Sequence, residues 1–359
     1  MLTAQPPSGK DHGLGRRFQV RYIPLERILD ALAKSLLPAG LRSYRRLLVF
    51  PPYEWVRRRL ATSISADIIH LHSYAVFRHY AGLLTTHPGW PIRPLLDWLC
   101  AFEEYGSRLL FTDHSLFAGP RDLFLAVGND RLVEGLPNVV CVEKSGLENV
   151  RRCAADKGLV VRTWWIPNPV DMERFRAARL PSPGRIVVGY AGRYEKEGLR
   201  QVAELIESAP DWVDFRLALA GPEEVASASS FLGTRKGVRV DWNVPYSRMP
   251  TFYESIHVLL DPFVFGAPRT ACESLASGRP VVRLRGDRLS RDFPASVSPV
   301  FDPEPASFFA SLARLRDSGE LGRMAGDARL YAEETYSAAR VAQQYVRAYQ
   351  EVASHRDSA

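Results

Sequence analysis

One stretch limits what this chain can fold into more than any other: residues 259–282, L-L-D-P-F-V-F-G-A-P-R-T-A-C-E-S-L-A-S-G-R-P-V-V. Leu259 and Leu260 end an apolar run that Asp261-Pro262 breaks. Gly266 lets the backbone turn, and Pro268 suits the first turn of a helix, where its missing N–H costs nothing. The pattern predicts a helix over 270–277 that stops at Gly278, with Pro280-Val281-Val282 opening the next buried strand. This is a βαβ crossover. A turn feeding a helix N-terminus presents free N–H groups and the positive end of a dipole, which suits an anion. One turn further on, the Glu273 carboxylate is placed to accept hydrogen bonds from a sugar diol. Phosphate on the amides of Gly266, Ala267, Arg269 and Thr270, in the turn that Pro268 shapes, with ribose on Glu273, makes a nucleoside-diphosphate site. The same spacing also occurs in ordinary crossovers that carry a surface glutamate.

The segments before this stretch extend the alternation. Residues 185–192 read as a buried strand, followed by a loop, 192–199, and a helix to about 207. Strands follow at 215–221 and 238–244, then a helix at 247–255, and residues 256–261 lead back into the opening stretch. This is a Rossmann-like βα array. Gly192, Arg193 and Lys196 lie on its first loop, and Asn243 and Val244 at the end of its third strand. In the first half, residues 66–73 form a strand ending in His70 and His72, residues 108–115 one ending in His114, and residues 138–143 a third, with a helix at 147–157. Polar residues at the ends of parallel strands are where α/β enzymes place their chemistry. Three imidazoles on adjacent strand ends are also a zinc pattern, but no H-E-x-x-H motif accompanies them, so no metal is assigned. Helices are expected at 305–316, 321–335 and 338–352, the last with Ser337 as N-cap.

A chain of 359 residues accommodates two domains of ordinary size. No apolar run approaches the roughly 18 residues that span a bilayer. Residues 1–15 lack the apolar centre of a signal peptide, so a cytoplasmic location is expected. Cys100, Cys141, Cys153 and Cys272 are too far apart for a zinc site or disulfide framework. The formal charge of +7 is carried entirely by residues 1–170, which hold 22 Lys and Arg against 15 Asp and Glu. Arg42, Arg45, Arg46, Arg57, Arg58 and Arg59 stand among leucines and aromatics, a mixture that suits an anionic membrane face or an acidic acceptor. A solvated arginine-rich face is the plainer alternative. No base-reading module is visible, so no nucleic-acid partner is expected.

Residues 259–282 resemble the signature of family four of the retaining glycosyltransferases, which have the GT-B fold. Gly266, Pro268, Glu273, Ala276, Gly278, Pro280, Val281 and Val282 fit it. Ile166-Pro167-Asn168 through Val170, Asp171 and Phe175 resemble the family's crossing into its second domain, with Pro169 in place of the common glycine. Gly192-Arg193 with Lys196 resembles the family's phosphate clamp in a loop one residue shorter. The resemblance implies two Rossmann-like domains facing a cleft. The first is residues 1–166, joined by a returning C-terminal helix, 336–359, and the second, residues 167–335, holds a nucleotide sugar. It further implies Arg193 and Lys196 on the diphosphate, His114 on the transferred sugar, Glu273 on the ribose, and Gly13 in an N-terminal loop facing the donor phosphates. No D-x-D occurs in the chain, so the diphosphate clamp is expected to work without metal or other cofactor. The acceptor is expected to be a glycan, a lipid-linked or another polar molecule. One departure stands out: the family's first glutamate, which contacts the transferred sugar, falls at Phe265. That keeps two alternatives open, a GT-B nucleotide-sugar epimerase and a non-catalytic binding or scaffold protein.

Overall fold

The structure is a computed structural model, and it describes residues 68–72, 107–114, 117, 133–181, 184–193, 198–221, 236–262, 268–285 and 293–354. Among these residues the strands form two parallel sheets. The first is β1 (Ile69–His72), β2 (Leu109–Asp113), β3 (Asn138–Cys141) and β4 (Arg162–Trp165), in that spatial order. Helix α1 (Lys144–Lys157) connects β3 to β4. Continuous apolar runs such as Leu109-Leu110-Phe111 and Val139-Val140-Cys141 are fully buried, as expected for strands covered on both faces. Buried polar groups pin the strand ends. The Asn138 side-chain amide donates to the carbonyls of Ser107 and Leu109, and Asp113 accepts from the Phe117 N–H.

The second sheet has six strands: β5 (Ile186–Arg193), β6 (Val213–Ala220), β7 (Val238–Trp242), β8 (Val258–Asp261), β9 (Val281–Leu284) and β10 (Val300–Phe301). Their spatial order is β10-β9-β8-β5-β6-β7, and every pairing is parallel. From β5 the chain steps outward through β6 and β7, then returns to the other side of β5 and steps away through β8, β9 and β10. The direction reverses between β5 and β8. In an open α/β sheet the crevice at the C-terminal ends of two such strands is where ligands bind.

Helices α2 (Gly198–Glu207) and α5 (Pro305–Asp317) cover one face, packing on Val188, Tyr190, Leu217, Leu260 and Val282. The short α3 (Met249–Glu254), α4 (Arg269–Ala276) and the long α6 (Glu320–Tyr336) cover the other, around Leu259, Leu275, Val281, Ala328 and Ala332. Gly189 on β5 has to be glycine, because a Cβ there would lie 2.4 Å from the Ile256 Cδ1.

Helix α7 (Ala338–Ser354) packs Val341, Ala348 and Val352 against Leu110, Val140 and Ile166 of the first sheet and its edge. A polar cluster joins the same surfaces. The His70 ring meets the Tyr349 hydroxyl through Nδ1 at 2.8 Å and the Thr112 hydroxyl through Nε2 at 2.7 Å. Both His70 nitrogens are thus engaged in a contact between β1, β2 and α7. The crossing segment lies beside the α6–α7 junction, with Val170 donating to the Tyr336 carbonyl at 2.8 Å. Asp171 Oδ1 accepts from the N–H groups of Glu173 and Arg174, closing the turn at that point.

Several elements differ from the sequence expectations at their ends. The strand expected over 238–244 stops at Trp242 because Asn243 takes φ 48°, a left-handed conformation that asparagine tolerates. The helix expected from 247 begins as a 3₁₀ turn, Tyr246–Arg248, before α3. The helix expected over 270–277 runs one residue earlier, Arg269–Ala276, with Pro268 as its N-cap at φ −59° and ψ 145°. Among the described residues no helix is long and apolar enough to cross a membrane.

Candidate functional site

A cleft of ≈ 390 Å³ opens at the C-terminal ends of β5 and β6 and beside the N-terminus of α4. Gly192, Val244, Tyr246, Pro268, Arg269 and Glu273 are among its lining residues. It shares β5 with the β5–β8 reversal that the strand order marks, and reaches it on the far side through α4, which follows β8. The amides of Ala271 and Cys272 both donate to the Pro268 carbonyl, so the helix closes normally after its first two residues. Those two, Arg269 and Thr270, present their N–H groups at the open end of α4, where a helix has no internal acceptors for them.

Glu273 lies one turn further in and is only 3% exposed. Its Oε1 accepts from the Arg269 Nε at 2.8 Å, and its Oε2 from the Tyr253 hydroxyl at 3.2 Å. Arg269 continues outward, donating through Nη2 to the Tyr246 hydroxyl at 2.6 Å, with its guanidinium 4.6 Å from the Tyr246 ring centre. Burial raises the Glu273 carboxyl above its ordinary 4.5, and the Arg269 charge and the hydrogen bonds donated to it pull it back. Burial and the Glu273 charge together raise the Tyr253 phenol, so it stays a neutral donor.

The far end of α4 is set by a Schellman turn. The Gly278 N–H donates to the Leu275 carbonyl and the Arg279 N–H to the Ser274 carbonyl, both at 2.9 Å, with Gly278 at φ 68°. Arg279 is then fully buried, and its guanidinium makes five hydrogen bonds. The acceptors are the carbonyls of Tyr253, Ala178, Gly278, Arg179 and Glu254. It ties the crossing segment, α3 and α4 into one block, which holds Tyr253 and Glu273 at hydrogen-bonding distance. Arg329 of α6 adds bonds to the Phe175 and Ala276 carbonyls.

Of the residues expected in a donor site, the structure brings Gly192, Val244, Pro268, Arg269, Thr270 and Glu273 to one cleft. Asn243 is not on its lining. The Asn243 side-chain amide donates to the Gly221 carbonyl and accepts from the Gly221 N–H, both at 3.1 Å, so it staples the ends of β6 and β7 together. Arg193 closes β5, but its side chain lies outside the described residues, as do Gly13, Lys196, Gly266, Ala267, Phe265 and the arginines of residues 42–59. His114 stands half-buried at the end of β2, hydrogen-bonded to the Asn168 side chain of the crossing segment. Burial lowers its pKa below 6.5 against the opposing effect of that bond, which favours the neutral imidazole. Tyr246, Tyr253 and Arg279 are participants that local sequence pattern does not mark.

No protein-family model matches the chain, and no curated protein matches its sequence. Solved structures do match. Sucrose-phosphate synthase from Thermosynechococcus elongatus superposes with a TM-score of 0.61 at 15% identity, over 88% of this chain and 80% of that one. A glycosyltransferase from Rickettsia africae gives 0.56 at 15% identity over 85% and 82%. Anabaena HepE in complex with UDP and glucose gives 0.53 at 14% identity over 68% and 71%. The chain thus has an α/β fold with parallel sheets that is shared with glycosyltransferases, the GT-B architecture of two Rossmann-like domains.

Proposed function

We propose that this chain is a glycosyltransferase that takes a sugar from a nucleoside-diphosphate sugar. The observation that carries the reading is Glu273. It is a buried carboxylate on the wall of the cleft at the C-terminal ends of β5 and β6, one helical turn from two open amides. A ribose diol on that carboxylate places the diphosphate at the N-terminus of α4. The shared fold supports the class, and one protein that shares it, HepE, is solved in complex with UDP and glucose.

In this proposal residues 167–335 hold the donor. Residues 1–166, with the returning C-terminal helix, face the acceptor, a glycan or lipid-linked molecule. Arg193 and Lys196 offset charge on the departing diphosphate, and no metal is required. His114, neutral and held by Asn168, positions the sugar. Transfer with retention proceeds on one face of the sugar. The anomeric carbon–oxygen bond to the diphosphate breaks, the acceptor oxygen bonds to the same face, and its proton passes to the leaving phosphate. The basic first third places the protein at the cytoplasmic face of an anionic membrane, where lipid-linked acceptors lie.

The test is a thermal-shift panel of UDP, GDP, ADP and dTDP, with and without EDTA, on wild type and Glu273→Gln. A ligand that binds the folded state raises the melting temperature by mass action. One diphosphate should stabilise wild type, EDTA should not matter, and the variant should lose most of the shift. No shift with any of the four overturns the donor site. Phe265 favours one second reading, a binding protein without transferase activity. Stabilisation by a nucleotide sugar with neither transfer nor hydrolysis would support it.

A further inference from the structure

Arg269 does more in the cleft than line it. Glu273 is 3% exposed, whereas the Arg269 side chain is 63% exposed. The arginine is therefore the outer member of the pair. Its Nε occupies Oε1 at 2.8 Å, and its Nη2 is latched to the Tyr246 hydroxyl at 2.6 Å. Tyr253 occupies Oε2 from the buried side. A diol approaching from the cleft meets a carboxylate whose outward oxygen already has a cation on it.

Arg269 is also badly placed for the helix itself. It is the first residue of α4, where the dipole favours anions and disfavours cations, and an arginine four residues before a glutamate is the weaker orientation of such a pair. Helix stability gives no reason for an arginine here. An anion at the two open amides gives one, since the guanidinium then neutralises a charge beside its own backbone.

We infer that Arg269 is a transferable counter-ion: it is paired with Glu273 in the structure and moves to the ligand's diphosphate when the ribose takes the carboxylate, so the cleft selects nucleoside diphosphates against uncharged nucleosides. This rests on the nucleotide reading above. A nucleoside must break the Arg269–Glu273 bond and offers nothing to the released guanidinium. A diphosphate breaks the same bond and replaces it with a charge-assisted one.

The experiment is equilibrium titration of wild type, Arg269→Leu and Arg269→Lys with four pairs: UDP and uridine, GDP and guanosine, ADP and adenosine, dTDP and thymidine. One charge-assisted hydrogen bond corresponds to about tenfold in affinity. For the pair that binds, Arg269→Leu should tighten the nucleoside and weaken the diphosphate, each by about tenfold, so their ratio collapses by about 100-fold. Arg269→Lys keeps the charge but lacks the planar fork that spans Glu273 and Tyr246. It should tighten the nucleoside while largely keeping the diphosphate. Equal factors on both ligands in Arg269→Leu, or weaker nucleoside binding in either variant, overturn the inference while leaving the nucleotide site standing. If no diphosphate binds wild type, it is the nucleotide reading that fails.

Discussion

Arg279→Leu tests the architecture that carries Glu273. The substitution is close in volume but removes a guanidinium that serves five carbonyls from a position with no exposure. Two of those bonds, to Gly278 and Glu254, are long at 3.2 and 3.3 Å and carry little weight. The other three, at 3.0, 2.9 and 3.1 Å, end on Tyr253, Ala178 and Arg179. A buried acceptor left without a partner costs about 1–3 kcal/mol, and of the three only the Tyr253 carbonyl sits in a fully buried bond, the other two being part-buried on residues that solvent reaches. Together they give about 3 kcal/mol before relief. Burying the charge is itself costly: desolvation lowers the Arg279 pKa to about 10, with Glu254 opposing. An apolar side chain recovers part of that cost, so we expect a net loss of about 2 kcal/mol. At about 2–4 °C per kcal/mol for a unit of this size, the melting temperature should fall by about 4–8 °C. Differential scanning fluorimetry reads this directly. Arg279→Lys should lie between leucine and wild type, since it keeps the charge and some of the bonds. A leucine variant melting within about 2 °C of wild type would refute the reasoning.

Three further outcomes follow from the same geometry. Gly278→Ala forces a Cβ into φ 68° and to 3.4 Å from the Ala325 carbonyl, so it should cost about 1–2 kcal/mol and a measurable drop in melting temperature. His257 is held neutral, with Nδ1 accepting from the Val187 N–H at 3.0 Å and Nε2 on the Pro181 carbonyl at 3.2 Å. Burial lowers its pKa from 6.5, aided by Arg279 and opposed by Pro181, so its stabilisation is present above pH 6.5 and lost as pH falls through the lowered value. Melting curves at decreasing pH should show that loss, and His257→Gln should flatten it. Tyr253→Phe removes the hydroxyl whose single proton the Glu273 carboxylate and the Thr270 carbonyl share, and calorimetry should show nucleotide affinity falling about fivefold, or about 1 kcal/mol.

Much of the second sheet is legible in the sequence. Its strands are continuous apolar runs and its turns carry glycine and proline, so strand and helix positions from Ile186 to Leu284 fall within two or three residues of expectation. Glu273 is legible because its chemistry is local: a carboxylate one turn after a helix opens. What supports Glu273 is not local. Tyr253 is 20 residues away, and the carbonyls on Arg279 come from as far as 101 residues upstream. In sequence Arg279 is only a charge between Gly278 and Pro280, and nothing near it signals complete burial. Asn243 misleads for the opposite reason. An asparagine at a strand end resembles a ligand contact, but the left-handed turn it adopts points its amide at Gly221. His70 reads as a strand-end imidazole, and its partner Tyr349 lies 279 residues on.

The central claim is that Glu273 receives the ribose diol, and a double-mutant cycle measures that contact itself. Wild type and Glu273→Gln would each be titrated calorimetrically with the diphosphate that stabilises the protein most and with its 2′,3′-dideoxy analogue. The account predicts that losing the diol weakens wild type by about tenfold and the variant by less than about twofold, because the carboxylate that received it has gone. Equal weakening of both proteins would contradict it, since the ribose would then be bound somewhere other than Glu273.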